Sequence, residues 1–250
     1  HGEFLVVRDG VVLQRQEGNG IMNHVINGGD FAPNECPLYK IWDGIPLECV
    51  VPKGRCDTPY VERFKRIIFE LSDESLPRKH VDIIPYRIVT SLAEAKEHAV
   101  EMMKAGKEGS VIKHPHGIWR DTTSKDQVKI KLEFEVDLEV VAVVPGAVGT
   151  KNEGRAGSLT CETSDGALRV DVAVKNEKMR DNIAANPDEW IGEIMTAVAN
   201  DIMLPSESNM NHSLFLPRFA EAFPRDKDVA DDLPRVFAQK RAAIYGEELM

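Results

Sequence analysis

The chain has 250 residues, 42% of them hydrophobic, with 31 Lys+Arg against 41 Asp+Glu for a formal net charge of −10. No apolar run approaches the roughly 20 residues of a membrane-spanning helix, and no basic segment followed by an apolar stretch marks a secretory signal. Cys36, Cys49, Cys56 and Cys161 are too few for a disulfide framework and contain no Cys-x-x-Cys pair for a zinc ribbon.

Length sets one to two domains as the expectation, and whole-chain acidity argues against a nucleic-acid partner. The charge is unevenly spread, however. Residues 1–132 hold 19 Lys+Arg and 19 Asp+Glu, leaving 12 against 22 for residues 133–250. All the excess acid therefore lies in the second part, while Lys104, Lys107, Lys113, Arg120, Lys125, Lys129 and Lys131 make a locally basic stretch. Screening limits exposed charges to a reach of ~8–10 Å, so such a stretch can hold phosphate whatever the total charge.

The predicted elements begin with a β-hairpin, Glu3–Val7 and Val11–Gln14 around an Asp9-Gly10 turn. Glu17-Gly18-Asn19-Gly20 reads as a break that leads into a helix, and less as a phosphate-binding turn; Ile21, Met22, Val25 and Ile26 then have helical spacing. Leu38–Ile45 reads as a strand. Thr58-Pro59 starts a helix to about Ser72, with Phe64, Ile67, Ile68 and Leu71 on one face. His80–Val89 reads as a strand, and Ser91 with Glu94 as a capping box for a helix that Gly106 ends. Ser110–His114 and Gln127–Leu132 are strands around a polar loop in which His114 and His116 read as loop histidines. This part mixes helices with largely antiparallel strands.

The rest reads as mostly β. Val136–Val144 is a strand, and Ser158–Glu162 with Leu168–Val174 flank a second turn, Asp165-Gly166. Asn186–Met203 fits a helix or a bulged strand. Five short strands and one helix suit a small barrel of the oligonucleotide-binding (OB) type. A solvated helical tail follows Asp228.

Two clusters carry chemistry. In Glu108-Gly109-Ser110-Val111-Ile112-Lys113, a carboxylate and a lysine flank a turn that feeds a strand. In Lys129-Ile130-Lys131, the strand period of two points both ammonium groups to one face. Together they form a clamp suited to a phosphoanhydride and a metal ion.

Read in order, the motifs resemble those of ATP-dependent DNA ligases of the covalent nucleotidyltransferase superfamily, in particular the small phage and bacterial type. Gly2-Glu3 before Phe-Leu-Val-Val resembles that family's Asp-Gly-Glu element, with His1 in place of the Asp. Tyr39-Lys40-Ile41-Trp42-Asp43 resembles the element whose aromatic stacks on adenine. Glu108-Gly109 through Lys113 resembles Glu-Gly-x-Val-x-Lys. Trp119-Arg120 and Thr123-Ser124-Lys125 lead to Lys129-x-Lys131 as in the family. Pro217-Arg218-Phe219 with Arg225-Asp226-Lys227 resembles the last motif, one residue short between Arg225 and Asp226.

The resemblance implies an α+β architecture. Residues 1–132 would be the C-terminal part of a nucleotidyltransferase domain (ATP-grasp-like, antiparallel α+β), 133–228 an OB-fold β-barrel and 229–250 a helical tail. It implies Glu3, Glu108, Lys129 and Lys131 as catalytic, with Glu3 and Glu108 on Mg²⁺. Trp42, Lys113, Arg225 and Lys227 would bind ATP, with AMP as covalent intermediate. It implies nicked duplex DNA as partner, a monomer, cytoplasmic location in a bacterial or phage-infected cell, and roles in DNA repair, replication and recombination. The family's nucleophilic lysine, in Lys-x-Asp-Gly, is expected upstream of His1. Lys40-Ile41-Trp42-Asp43-Gly44 has one residue too many and lies downstream, so this segment alone is expected not to adenylate itself. The alternatives are a non-catalytic nucleic-acid-binding relic and an RNA ligase or capping-type nucleotidyltransferase.

Overall fold

The computed structural model describes residues 1–72, 80–206, 209–221, 224 and 226–246, with Arg15 and Gln16 described by backbone alone. Contacts divide the chain into two compact units, His1–Leu92 with Val111–Lys129, and Ala93–Ser110 with Ile130–Met250.

The first unit is built on strand β1 (Gly2–Arg8), which turns back into the short β2 (Val11–Val12) through Asp9 and Gly10. Both turn residues have positive φ, 51° and 81°, the geometry that matches the strand twist of a two-residue hairpin. Helix α1 (Arg15–Ile26) follows and corrects one expectation, because Gly18, Asn19 and Gly20 lie inside it and form neither a break nor a phosphate-binding turn. Each glycine weakens a helix by about 1 kcal/mol. Packing outweighs that here, since Gly18 is buried against Val6 of β1 and Glu17 is ion-paired with Arg8.

Strand β3 (Glu35–Ile41) runs antiparallel to β1 over its whole length, from Gly2 opposite Ile41 to Arg8 opposite Glu35. A Cβ at Gly2 would collide with the Lys40 carbonyl oxygen and the Tyr39 ring, which is why the strand begins with glycine. After β4 (Arg55–Cys56) comes α2 (Tyr60–Leu71), capped by Pro59 and burying Arg63, Phe64 and Ile67. Pro59 thus stands one residue before the first helical position. The strand expected over 80–89 is only β5 (Val81–Ile83), parallel to β3. Its ladder ends where the Ile84 N–H bonds the Ile41 carbonyl at 3.0 Å, because Pro85 has no N–H to continue it. The sheet order is β2-β1-β3-β5, so one of its pairings is parallel.

Helix α3 (Leu92–Lys104) ends at Gly106, φ 76°, with the Lys107 N–H closing on the Met102 carbonyl at 2.9 Å, a glycine stop of the Schellman type. Next come β6 (Gly109–Lys113), β7 (Trp119–Arg120), which pairs with β4, and β8 (Gln127–Lys131), which pairs with β6.

The second unit is a closed barrel. Its strands are β9 (Phe134–Pro145), β10 (Ala156–Glu162), β11 (Arg169–Ala173), β12 (Ile194–Ala199) and β15 (Arg218–Phe219). They close in the order β10-β11-β15-β12-β9. The third and fifth barrel strands pair in parallel, Ala173 with Arg218, and every other pairing is antiparallel. With a helix between the third and fourth strands, this is OB-fold connectivity. Strand β9 shows the cause at sequence level: Phe134, Val136, Leu138 and Val140 point into the core, and Glu135 and Glu139 point out.

The ambiguous stretch 186–203 resolves as β12 and β13 (Asp201–Met203), the latter paired with β14 (Ser213–Phe215). The barrel helix lies earlier, α4 (Glu177–Ala185), where Asn176 caps the Met179 N–H. The tail is α5 (Leu233–Tyr245), started by an Asp232 cap and ended at Gly246, φ 68°. It is not merely a solvated helix. Val236 is fully buried, and Leu233 and Ile244 pack on the barrel core, which also takes in Ala99 and Met103 of α3. Among the described residues, no helix is long and apolar enough to cross a membrane.

Candidate functional site

In the first unit the site grows from the end of β3. Trp42 and Asp43 follow that strand directly, and the Trp42 carbonyl accepts a 3.0 Å hydrogen bond from the Tyr60 hydroxyl. Asp43 and Arg63 are 2% and 4% exposed. Arg63 Nε donates to Asp43 Oδ1 and its Nη2 to Oδ2, both at 2.8 Å, and Nη1 bonds the Thr58 carbonyl.

Lys113, the last residue of β6, brings its ammonium 3.7 Å from Asp43 Oδ2 and 4.6 Å from the centre of the Tyr60 ring. Two cations thus share one carboxylate that Arg63 already grips with both oxygens. Burial pushes the Lys113 ammonium below its ordinary value, with Asp43 only partly opposing. Burial pushes the Tyr60 phenol up to about 12, with Asp43 adding to it, so the ring stays neutral. The result is a half-buried lysine with an incomplete counter-charge, on a carboxylate whose chain neighbour is the half-buried Trp42. Such a place favours an anion with an aromatic group attached.

Glu3 is exposed on β1, opposite Lys40 in the ladder. Lys40 is ion-paired with Asp82, whose carboxyl that hydrogen bond holds below its usual range.

In the second unit, Glu108 is exposed at the mouth of β6, and its carbonyl accepts from the Leu132 N–H at 3.1 Å. Gly109 behind it has φ 140°, and a Cβ there would strike the Ile130 carbonyl oxygen, so only glycine fits. Lys131 of this unit is exposed on β8, as is Lys129, which the contacts assign to the first unit. Lys131 lies 3.2 Å from Asn200 Oδ1 and 3.9 Å from Glu133 Oε1. Lys227 is ion-paired with Asp137, which also accepts from Thr196 Oγ1 at 2.5 Å. Arg225 lies outside the described residues.

The structure therefore brings Lys113 to Trp42's neighbour Asp43, and Lys131 to Asn200 and Glu133, while Lys227 pairs with Asp137. Glu3 and Glu108 supply hard carboxylate oxygens, the donors magnesium takes together with water and phosphate. Among the described residues, no group of three or more His, Cys, Asp or Glu is arranged to hold a metal. Sequence reasoning missed Arg63, Tyr60, Asn200 and Glu133. For Arg63 a signal existed: it falls on the buried face of α2 with Phe64 and Ile67, where a guanidinium requires a carboxylate partner.

No family model matches the sequence. The DNA ligase of Enterobacteria phage T6 is 28% identical across 95% of this chain and 50% of the phage protein. That of Enterobacteria phage T4 is 27% identical across 91% and 47%. The chain thus spans about half the length of the curated relatives it matches. The solved structure Pmar-Lig_PreS3 superposes with a TM-score of 0.66 at 21% identity, over 80% of this chain and 48% of that one. A Lig E DNA ligase, solved in a structure-function analysis of DNA binding with a minimal scaffold, gives 0.64 at 18% identity, over 88% and 75%. The chain is thus similar in sequence to phage DNA ligases, and its fold, a mixed α+β unit and an OB-type barrel, is shared with solved ligase structures.

Proposed function

We propose that this chain is part of an ATP-dependent DNA ligase that seals nicks in duplex DNA through enzyme–AMP and DNA–adenylate intermediates. The observation that carries the reading is Lys113, under-compensated beside the Asp43–Arg63 pair, with Trp42 next to Asp43 in the chain. Homology to phage DNA ligases supports it. Residues 1–132 are read as the nucleotidyltransferase portion, 133–228 as the OB-fold domain and 229–250 as a helical tail.

In this reading the Trp42 ring stacks on adenine, and Lys113 meets a phosphate oxygen of the nucleotide. Lys129 and Lys131 neutralise the α-phosphate, and Arg225 and Lys227 serve the pyrophosphate end. In the sealing step the 3′-hydroxyl attacks the adenylated 5′-phosphate, and AMP departs. Charge spreads over the phosphoryl oxygens as it does so, and fixed cations lower that barrier by electrostatics and positioning. Glu3 and Glu108 are each read, by the resemblance, as a carboxylate for magnesium, which would supply further neutralisation of those oxygens. No Lys-x-Asp-Gly occurs within the 250 residues, so no residue of this chain is assigned as the nucleophile. The reading also includes a monomer working in the cytoplasm of a bacterial or phage-infected cell.

The test is incubation with labelled ATP and Mg²⁺. The polypeptide in which this chain naturally occurs is expected to form an AMP–lysine adduct and seal nicked DNA, while the 250 residues alone give no adduct. Absence of protein-bound AMP in that polypeptide overturns the reading. An adduct formed from GTP instead of ATP would point to capping chemistry.

A further inference from the structure

Lys131 does not stand alone on the barrel unit. Arg218 of β15 reaches the same two acceptors: its Nη1 lies 3.5 Å from Asn200 Oδ1, and its Nη2 donates to Glu133 Oε1 at 2.6 Å. Asn200 is itself fixed, with Nδ2 donating to the Leu132 carbonyl at 2.6 Å and its backbone N–H to the Phe215 carbonyl at 3.0 Å. That first bond dictates which side-chain atom is the oxygen, so Asn200 presents a set acceptor to both cations. Two cations thus converge on one amide oxygen and one carboxylate oxygen, leaving the group with a net positive charge.

The three charged side chains are between 31% and 46% exposed. Ion pairs this open to water stabilise a fold little, so stability alone does not account for the arrangement. A carboxylate bridging an arginine fork and a lysine occupies the space that a phosphate would fill with more charge and more acceptor oxygens.

We propose that Lys131 and Arg218, positioned by Asn200, form a phosphate grip on the barrel for which the Glu133 carboxylate is an internal stand-in that phosphate displaces. The proposal rests on the ligase reading for Lys131 as a phosphate ligand; Arg218 lies in the Pro217-Arg218-Phe219 stretch of the resemblance, which gives it no role, and Asn200 and Glu133 enter from geometry alone. The phosphate belongs either to a DNA strand or to a nucleotide, and the chemistry of recognition is the same.

The 250-residue chain is titrated with fluorescent duplex DNA, and separately with a fluorescent ATP analogue, over a range of salt. Removing the competitor in Glu133→Gln is expected to tighten binding at least threefold for whichever source uses the grip. Arg218→Gln is expected to weaken that same binding tenfold or more and, for DNA, to lower the slope of log K against log salt by about 1. Asn200→Ala is expected to weaken binding several-fold with the slope unchanged, since both cations remain; a purely structural role would not separate the two. A response with DNA alone or with the nucleotide alone identifies the source. Unchanged or weaker binding in Glu133→Gln, with thermal unfolding as in the parent chain, overturns the proposal, as does no measurable binding in any of the four proteins. If the grip fails that test while AMP–lysine formation and nick sealing persist, the ligase reading stands without it.

Discussion

Arg63 and Asp43 meet fork to fork, two 2.8 Å hydrogen bonds between side chains that are both almost wholly buried. They tie α2 to the end of β3 and thereby fix the carboxylate that Lys113 faces. Removing one member of such a pair leaves an uncompensated charge in the interior, which costs about 3–5 kcal/mol. Arg63→Ala is expected to lower the urea midpoint accordingly. The double replacement Asp43→Leu with Arg63→Met is expected to regain most of that loss and to weaken nucleotide binding nonetheless. A single variant as stable as the parent would show that the pair is not buried as described.

Tyr60 makes a pH-dependent contribution. Its phenol keeps its proton up to about pH 12 in the folded chain, against 10.0 for the free side chain. The unfolded chain therefore gives up that proton first, and the stability due to Tyr60 is complete below pH 10 and lost as pH rises toward 12. Lys113, with its lowered value, acts in the opposite sense, gaining stability as pH climbs toward the ordinary lysine range. Comparison of Tm against pH for the parent and Tyr60→Phe isolates the phenol: the fall above pH 10 should be shallower in the variant.

Gly109 tests the geometry of the turn that carries Glu108. Its φ of 140° and the nearness of the Ile130 carbonyl exclude any side chain. Gly109→Ala is expected to destabilise the chain by roughly 1–3 kcal/mol. Gly10→Ala serves as a control, because that position has positive φ but open space around it. Equal losses in chemical denaturation would mean that φ alone matters and that the close approach does not.

Trp42 carries the most direct prediction of the proposed activity. Loss of an aromatic–base stack costs ~1–3 kcal/mol, so Trp42→Ala should weaken ATP binding by about 5- to 150-fold. Trp42→Phe should recover much of it. Calorimetric titration of both variants, in the polypeptide in which this chain naturally occurs, decides the matter; unchanged affinity in Trp42→Ala would remove Trp42 from the site.

Much of this protein was legible in the order of its residues. Asp9-Gly10 marks a turn because few other pairs tolerate positive φ at both positions, and Asp165-Gly166 marks another in which the glycine alone takes positive φ. The alternation of Phe134, Val136, Leu138 and Val140 marks a barrel strand because side chains on a strand alternate faces. The motif series from Gly2-Glu3 to Asp226-Lys227 carries the resemblance to DNA ligases. These signals are local: each depends on the backbone geometry or chemistry of a few neighbouring residues.

Other features were settled only by residues distant in the chain. Gly18 and Gly20 sit in a helix because β1 packs against it, and α5 joins the core through Val236 although its surroundings are charged. The company of the candidate lysines is likewise tertiary. Lys113 and Asp43 are 70 positions apart and Lys131 and Asn200 are 69. Periodicity reports which face a side chain takes but not which partner waits there, and the partner is what sets charge balance and burial. The sequence by itself thus determined the hairpin turns, several helices and the strand pattern of the barrel, and it carried the resemblance to DNA ligases. Packing decided which carboxylates and amides surround each cation, because burial and electrostatic pairing act through space between segments that nothing in the local sequence connects.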